Sequence, residues 1–208
     1  MYSVFHENAL INGEEAAPGQ VVIALRDGGL RANGGTSARK ALAMRFGRKW
    51  WNVPEAKKYI KEAAAPSALY EGFLTYLNGW DSLVDGVPQP KVKFHGITHI
   101  TGGGIPSKFF GDFLKPRELS AKLTNLWAPP RVMRKFAEWR NVSGKEPYEI
   151  WHGGQGALVI VNETDAKLIL LLAPHWGISA RQAGLITNAR KPTLTVKSKF
   201  DDSTLVWE

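Results

Sequence analysis

The feature that most constrains this chain is a pair of glycine clusters, each placed after a strand-like run and before a helix-like one. Residues 19–25 read GQVVIAL, residues 26–35 RDGGLRANGG, and TSARKALAMRF follows. The second cluster, GGG at 102–104, closes FHGITHIT (94–101) and leads into PSKFFGDFL (106–114). VVIAL is a short, continuously apolar, β-branched run bounded by glycine, the pattern of a buried strand. Strand, glycine loop and helix in that order aim the N-terminal N–H groups of the helix, and the positive end of its dipole, at the loop. Glycine permits φ > 0 and close backbone approach, so successive N–H groups can form a concave nest for an anion. The competing reading of the first cluster is a tight turn with Asn33 left-handed. For the second it is a crossing where another backbone runs over the glycines. Neither stretch matches G-x-G-x-x-G or G-x-x-x-x-G-K-[ST], so neither dinucleotide nor P-loop binding follows.

The rest of the chain mixes both periodicities. Thr36 or Ser37 can cap a helix through Phe46, with Ala38, Ala41, Leu42 and Phe46 on one face. Residues 54–65 and 66–79 read as two further helices, opened by Pro54 and Pro66 and the second closed by Gly79. Residues 80–92 read as a loop, 94–101 as a strand, 106–114 as a short helix and 120–124 as a strand. PPRVMRKFAEWR (129–140) is amphipathic, KEPYEIW (145–151) adds a turn or two, and ALVIV (157–161) is a strand before a helix at 163–174. A strand near 183–188 and a hairpin pairing TLTVK with TLVWE around DDS complete the chain. Strands and helices alternate too irregularly for a parallel doubly wound sheet. The expected fold class is therefore α+β, a mixed sheet flanked by helices.

Composition excludes whole classes of chemistry. At 208 residues without cysteine, the chain has no disulfide, thiolate nucleophile or Cys-type metal site, which suits a reducing, cytoplasmic setting. AKLILLLAP (166–174) is the most apolar segment and is too short to span a bilayer. The net charge of +8 attracts anions, whether nucleotide, phosphate ester or nucleic acid. The richest basic stretches, RFGRK and RVMRK, interleave apolar residues at helical spacing, which argues for solvated helix faces rather than a nucleic-acid partner. His95 and His99 share one strand face without a third ligand, so no metal site is assigned. His99 and His152 remain as candidate catalytic groups, although a histidine like His152 is more often a hydrogen-bonded structural one. There is no G-x-S-x-G elbow. Residue chemistry alone stops at a basic α+β protein with two or three backbone-lined anion sites.

Taken in order, PGQVVIALRDGGLRANGGTSARKAL (18–42), HITGGG (99–104), LWAPPRVMRKFAEWRNVSGKEPYEIWHGGQGALVIV (126–161) and GLIT (184–187) resemble one family. It is the C-terminal domain of aminoimidazole ribonucleotide synthetase, the phosphoribosylformylglycinamidine cyclo-ligase of purine biosynthesis, within the AIR synthase-related superfamily. That superfamily also holds selenophosphate synthetase, thiamine-monophosphate kinase, a hydrogenase maturation factor and formylglycinamidine ribonucleotide synthetase. The resemblance implies residues 18–208 as this domain and residues 1–17 as a lead-in from an N-terminal ATP-binding domain, supplied in cis or by a separate chain. It implies ATP and Mg2+ held mainly by that other domain, a phosphorylated ribonucleotide substrate, and a chain inactive alone. The implied reaction activates a formyl oxygen by phosphoryl transfer before ring closure, chemistry that needs positioning and charge neutralisation more than a protein nucleophile. The substrate or phosphate side would be formed by Gly28, Gly29, Arg31, Asn33, Gly34, Thr101, Gly102, Gly103 and Gly104. The sequence departs from the family pattern in three places. Asp27-Gly28-Gly29 replaces SSG, Ala32 replaces a serine, and His152 stands where the family usually carries Asn. A divergent synthetase or kinase on another phosphorylated metabolite, and a non-catalytic nucleotide-binding module, are the alternatives.

Overall fold

The computed structural model describes residues 10–31 and 33–208; the rest of the lead-in segment and Ala32 lie outside the described residues. A mixed seven-stranded sheet runs through the molecule. Its strands are β1 (Val21–Arg26), β4 (Phe94–His99), β5 (Ser120–Leu123), β6 (Gln155–Val161), β7 (Ala180–Thr187), β8 (Leu194–Lys197) and β9 (Thr204–Trp207). Their spatial order is β4-β6-β1-β7-β5-β8-β9. All neighbours are antiparallel except β5 and β8, which pair in parallel. The expected α+β fold is the observed one.

The apolar runs explain the layering. Along β1, Val22 and Ala24 face one core while Val21, Ile23 and Leu25 face another, and β6 divides in the same way. The first core is roofed by a π-helical segment, Pro106–Leu114, through Phe109, Phe110, Phe113 and Leu114. The second is covered by α3 (Glu71–Leu77) and α6 (Glu163–Leu172). Each fully buried Val, Leu or Ile contributes about 1.5–3 kcal/mol, so these two strands anchor the domain. A third cluster joins α1 (Gly35–Phe46), α2 (Pro54–Ala63) and α4 (Arg131–Arg140) around Ala41, Leu42, Ala56, Met133 and Phe136. Trp151, at the end of α5 (Glu146–Ile150), packs into the same cluster.

Three local expectations are corrected. The N-cap of α1 is Gly34, left-handed at φ 77, and no side chain caps the helix, so Thr36 and Ser37 lie inside it. The helix expected from Pro66 begins only at Glu71, because the Ala68 N–H is taken by the Asp27 carboxylate at 3.0 Å. The loop expected at 80–92 contains a small hairpin, β2 (Leu83–Val84) with β3 (Val87–Pro88), turning through Asp85 and Gly86 at positive φ.

Candidate functional site

Because β6 lies antiparallel between β1 and β4, the C-terminal ends of β1 and β4 emerge on either side of the start of β6. Arg26 pairs with Gln155, and His99 with Ala157. The loop after β1, the glycines after β4 and the approach His152-Gly153-Gly154-Gln155-Gly156 therefore converge at one end of the sheet. Gly156 sits where they meet: a Cβ there would lie 2.1 Å from the Tyr70 hydroxyl and 2.9 Å from Asp27 Cβ. Only glycine leaves room for that crowd.

A polar chain, buried at Asp27 and Tyr70 and reaching the surface at His99, threads this junction. Asp27 is 3% exposed, and its Oδ1 accepts from the N–H groups of Gly28 (2.7 Å) and Ala68 (3.0 Å). The Arg31 guanidinium pairs with Asp27 Oδ2 and also contacts His99 Nε2. Arginine only donates, so Nε2 accepts and His99 is neutral. Burial first, and the Arg31 charge second, hold the His99 pKa below the usual imidazole value. Arg31 reaches both partners from a left-handed backbone, φ 57, a conformation expected instead for Asn33. Tyr70 donates its hydroxyl proton to the Arg26 carbonyl at 2.7 Å. Burial, followed by the Asp27 charge, pushes its pKa above the ordinary phenol value.

The loop walls two clefts, of which the larger is basic. One, of about 790 Å3, is lined by Asn33, Gly34, Ser37, Arg39, Lys40 and Arg140, among others. It opens at the N-terminus of α1, whose first turn carries no acidic residue. Asn33 Nδ2 donates to the Ile150 carbonyl at 3.0 Å, and Arg140 donates to Ser37 Oγ at 2.5 Å. Asn33 Oδ1, Arg140 Nε and Trp151 Nε1 are buried without a partner beside this cleft. On the other side, Arg26, Asp27, Gly28, Gly29, Glu62 and Arg131 help line a cleft of about 480 Å3, with two basic and two acidic side chains among them.

The second glycine cluster divides its labour. Gly104 serves a backbone crossing: a Cβ there would lie 1.9 Å from the Tyr148 carbonyl oxygen. Gly102 is exposed, with open space where its Cβ would be, and Thr101 and Gly103 are half-buried. Gly103 and Gly104 turn at φ 79 and 60, and the Gly104 N–H donates to the Thr101 carbonyl at 2.9 Å. His152 is fully buried beneath the first loop, with both ring nitrogens engaged. The structure thus gathers every sequence-predicted residue at one end of the sheet. It adds Asp27, noted in the sequence only as a departure from the family pattern, and Tyr70 and Arg140, which the sequence had not marked. The spacing of Asp27 and Arg31 was a signal for the ion pair, whereas nothing local marks Arg140.

No protein-family model matches the chain. Among solved structures, E. coli HypE, a hydrogenase maturation protein, aligns with a TM-score of 0.58 at 11% identity, covering 96% of this chain and 52% of that one. T. maritima PurL complexed with FGAR aligns at 0.52 and 16% identity, covering 96% and 29%. The fold is thus like that of PurL and HypE, and the sequence is similar to that of curated relatives over most of its length. Those relatives are phosphoribosylformylglycinamidine cyclo-ligases. That of Prochlorococcus marinus is 27% identical over 196 residues, 92% of this chain and 52% of that protein. That of Oceanobacillus iheyensis is 28% identical over 190 residues, 88% and 50%. The chain spans about half the length of these relatives.

Proposed function

We propose that this domain forms the substrate side of an ATP-dependent cyclo-ligase that acts on formylglycinamidine ribonucleotide. The observation that carries the reading is a basic cleft that the glycine loop after β1 forms at the N-terminus of a 12-residue helix, lined by Arg39, Lys40 and Arg140. Such a terminus favours a phosphate. Arg39, Lys40 and Arg140 would neutralise the charge, and Asn33 Oδ1, an acceptor without a partner, suits a ligand hydroxyl. Arg31, His99, Thr101 and Gly102 would border the reacting end of the ligand, with Gly28 and Gly29 presenting backbone from the other wall. Gly34, Gly103 and Gly104 give the loops their shape. His99, neutral and tied to Arg31, would reach the ligand from this border.

The likeness to cyclo-ligases is what brings ATP and Mg2+ into the reading. Among the described residues no cluster of three His, Cys, Asp or Glu side chains could hold a metal ion, so no residue here is assigned to Mg2+. The ATP-binding domain belongs, in this proposal, to a preceding segment or a separate chain, and the domain alone does not turn over. Calorimetric titration with formylglycinamidine ribonucleotide and with ATP tests it. Saturable binding of the ribonucleotide but not of ATP is expected. Binding of neither, with another phosphate ester bound tightly, would replace the substrate and favour a divergent synthetase or kinase.

A further inference from the structure

We propose that the outer face of the helical layer built by α1, α2 and α4 is a docking surface for single-stranded nucleic acid. The charge of the chain is concentrated there. Residues 35–63 and 131–140, which form this layer, carry twelve of the 27 Lys and Arg and three of the 19 Asp and Glu, a net +9. The remaining residues carry fifteen against sixteen, so the whole excess of a +8 chain sits on one layer. An asymmetry of that size marks a polyanionic partner. Arg39, Lys40 and Arg140 belong to the larger cleft. The other nine cations lie outside it, and the inference does not rest on that cleft.

In the sequence, RFGRK and RVMRK read as two separate solvated helix faces. The fold joins them across Tyr59. Its ring centre lies 6.1 Å from that of Phe46 and 4.7 Å from that of Trp139. Arg45 of the first run lies over Phe46 at 5.8 Å, and Arg131 of the second lies over Tyr59 at 5.1 Å. Half-buried rings thus alternate with guanidinium groups brought from two helices. Trp51 stands edge to face with Trp50 at 5.7 Å and keeps 53% of its surface exposed. In the same layer Arg48, Lys49, Lys57, Lys58, Lys61 and Arg134 are exposed and make no ion pair among the described residues.

Single strands are held by this combination. Cations follow the phosphates, while bases without a partner strand stack on aromatic rings and guanidinium planes. An anionic membrane would instead need several protruding apolar side chains amid the charge. Among the described residues of this layer only Met44 and Trp51 are large, apolar and exposed. Leu69, Leu83, Val84 and Leu171, which are as exposed or more so, lie before α3, on the small hairpin and on α6.

The test is fluorescence anisotropy of the full chain with a short labelled oligothymidylate. Inorganic polyphosphate, which offers the charge without the bases, is measured by competition, and phosphatidylglycerol vesicles by sedimentation. The oligonucleotide is expected to bind saturably and to weaken with salt at a log–log slope of about −3, the value for roughly four phosphates of a single strand. Trp51→Ala should weaken the oligonucleotide roughly tenfold without changing that slope or the affinity for polyphosphate. Lys57→Glu combined with Lys58→Glu should weaken both ligands and flatten the slope. Lys167→Glu, the same reversal on exposed α6 surface, should leave both unchanged. All these positions are exposed, so the variants should fold, which thermal melts check. Wild-type oligonucleotide affinity in a folded Trp51→Ala chain overturns the proposal, and so does a Lys167→Glu loss equal to that of the Lys57 and Lys58 pair. A chain that sediments with the vesicles but does not bind the oligonucleotide overturns it in favour of a membrane surface. Arg39, Lys40 and Arg140 are intact in every variant, so each of these outcomes leaves the cleft reading to its own titration.

Discussion

The inner strands β4, β6 and β1 and the outer strands β5, β8 and β9 belong to one sheet but are buried differently. β6 is buried at every position and β1 at all but its last, with helices covering both faces. The outer strands bury only one face. Ala121, Leu123, Leu194, Val196, Leu205 and Trp207 enter the first core. On the opposite face the cross-strand row Leu185, Lys122, Thr195 and Val206 is partly or wholly exposed. The sequence carries the same contrast, in VVIAL and ALVIV as unbroken apolar runs against the alternation of TLTVK and TLVWE. The three glycine segments all spring from the doubly covered half. A site whose backbone must hold an anion in a fixed geometry stands on the strands least able to move.

Breaking that half should cost most. Gly104→Ala forces a Cβ to within 1.9 Å of the Tyr148 carbonyl oxygen from a left-handed backbone. A loss of about 4 kcal/mol is expected, the exceptional range for one substitution. Gly102→Ala, with open space around it, should stay within about 0.5 kcal/mol and instead report on ligand binding. Urea unfolding of the pair checks this; equal losses would mean that the crossing at Gly104 is not what shapes the cluster. Ile23→Ala, from a position with no exposure, should lose about 3 kcal/mol, within the range for emptying a buried Ile site.

The acid limb of stability sharpens the comparison from another side. The pKa of His152 is near 4 in the folded chain and near 6.5 when unfolded. Between those values the unfolded state binds more protons, so stability rises with pH there. The contribution is complete above about pH 6.5 and lost as pH falls toward 4, amounting to about 3 kcal/mol across the window. Thermal melts from pH 7 to pH 4 should show the midpoint falling steadily, and His152→Asn should flatten that slope.

Much of this was readable before the fold was known, for stated reasons. Both kinds of strand announce themselves by period, and the glycine clusters by their place between strand and helix. What failed was decided by contacts distant in sequence. Residues 66–70 are opened by a proline and rich in helix formers, yet Asp27 captures the Ala68 N–H and Tyr70 turns inward to the Arg26 carbonyl. Asn33 is the residue whose chemistry favours a left-handed turn, but it is Arg31 that adopts it, where its guanidinium pairs with the buried Asp27 and contacts the exposed His99. Arg140 joins the cleft through Ser37, 103 residues away, so only the packing of α1 on α4 could reveal it. His152 was legible as a hydrogen-bonded histidine, while its two partners were not.

The smallest expected effect tests the open face. Val206 lies on β9, 37% exposed, opposite Thr195. Its neighbours across the sheet are a threonine and a lysine, so removing two methyl groups opens no cavity and returns little apolar surface to water. Val206→Ala should change stability by no more than about 0.5 kcal/mol, the ordinary range for a surface site. The β-propensity of valine accounts for part of even that. If urea unfolding instead shows a loss near that of Ile23→Ala, the face is covered in solution. The outer strands would then be as deeply buried as the inner ones, and the contrast between the two halves would belong to the isolated chain alone.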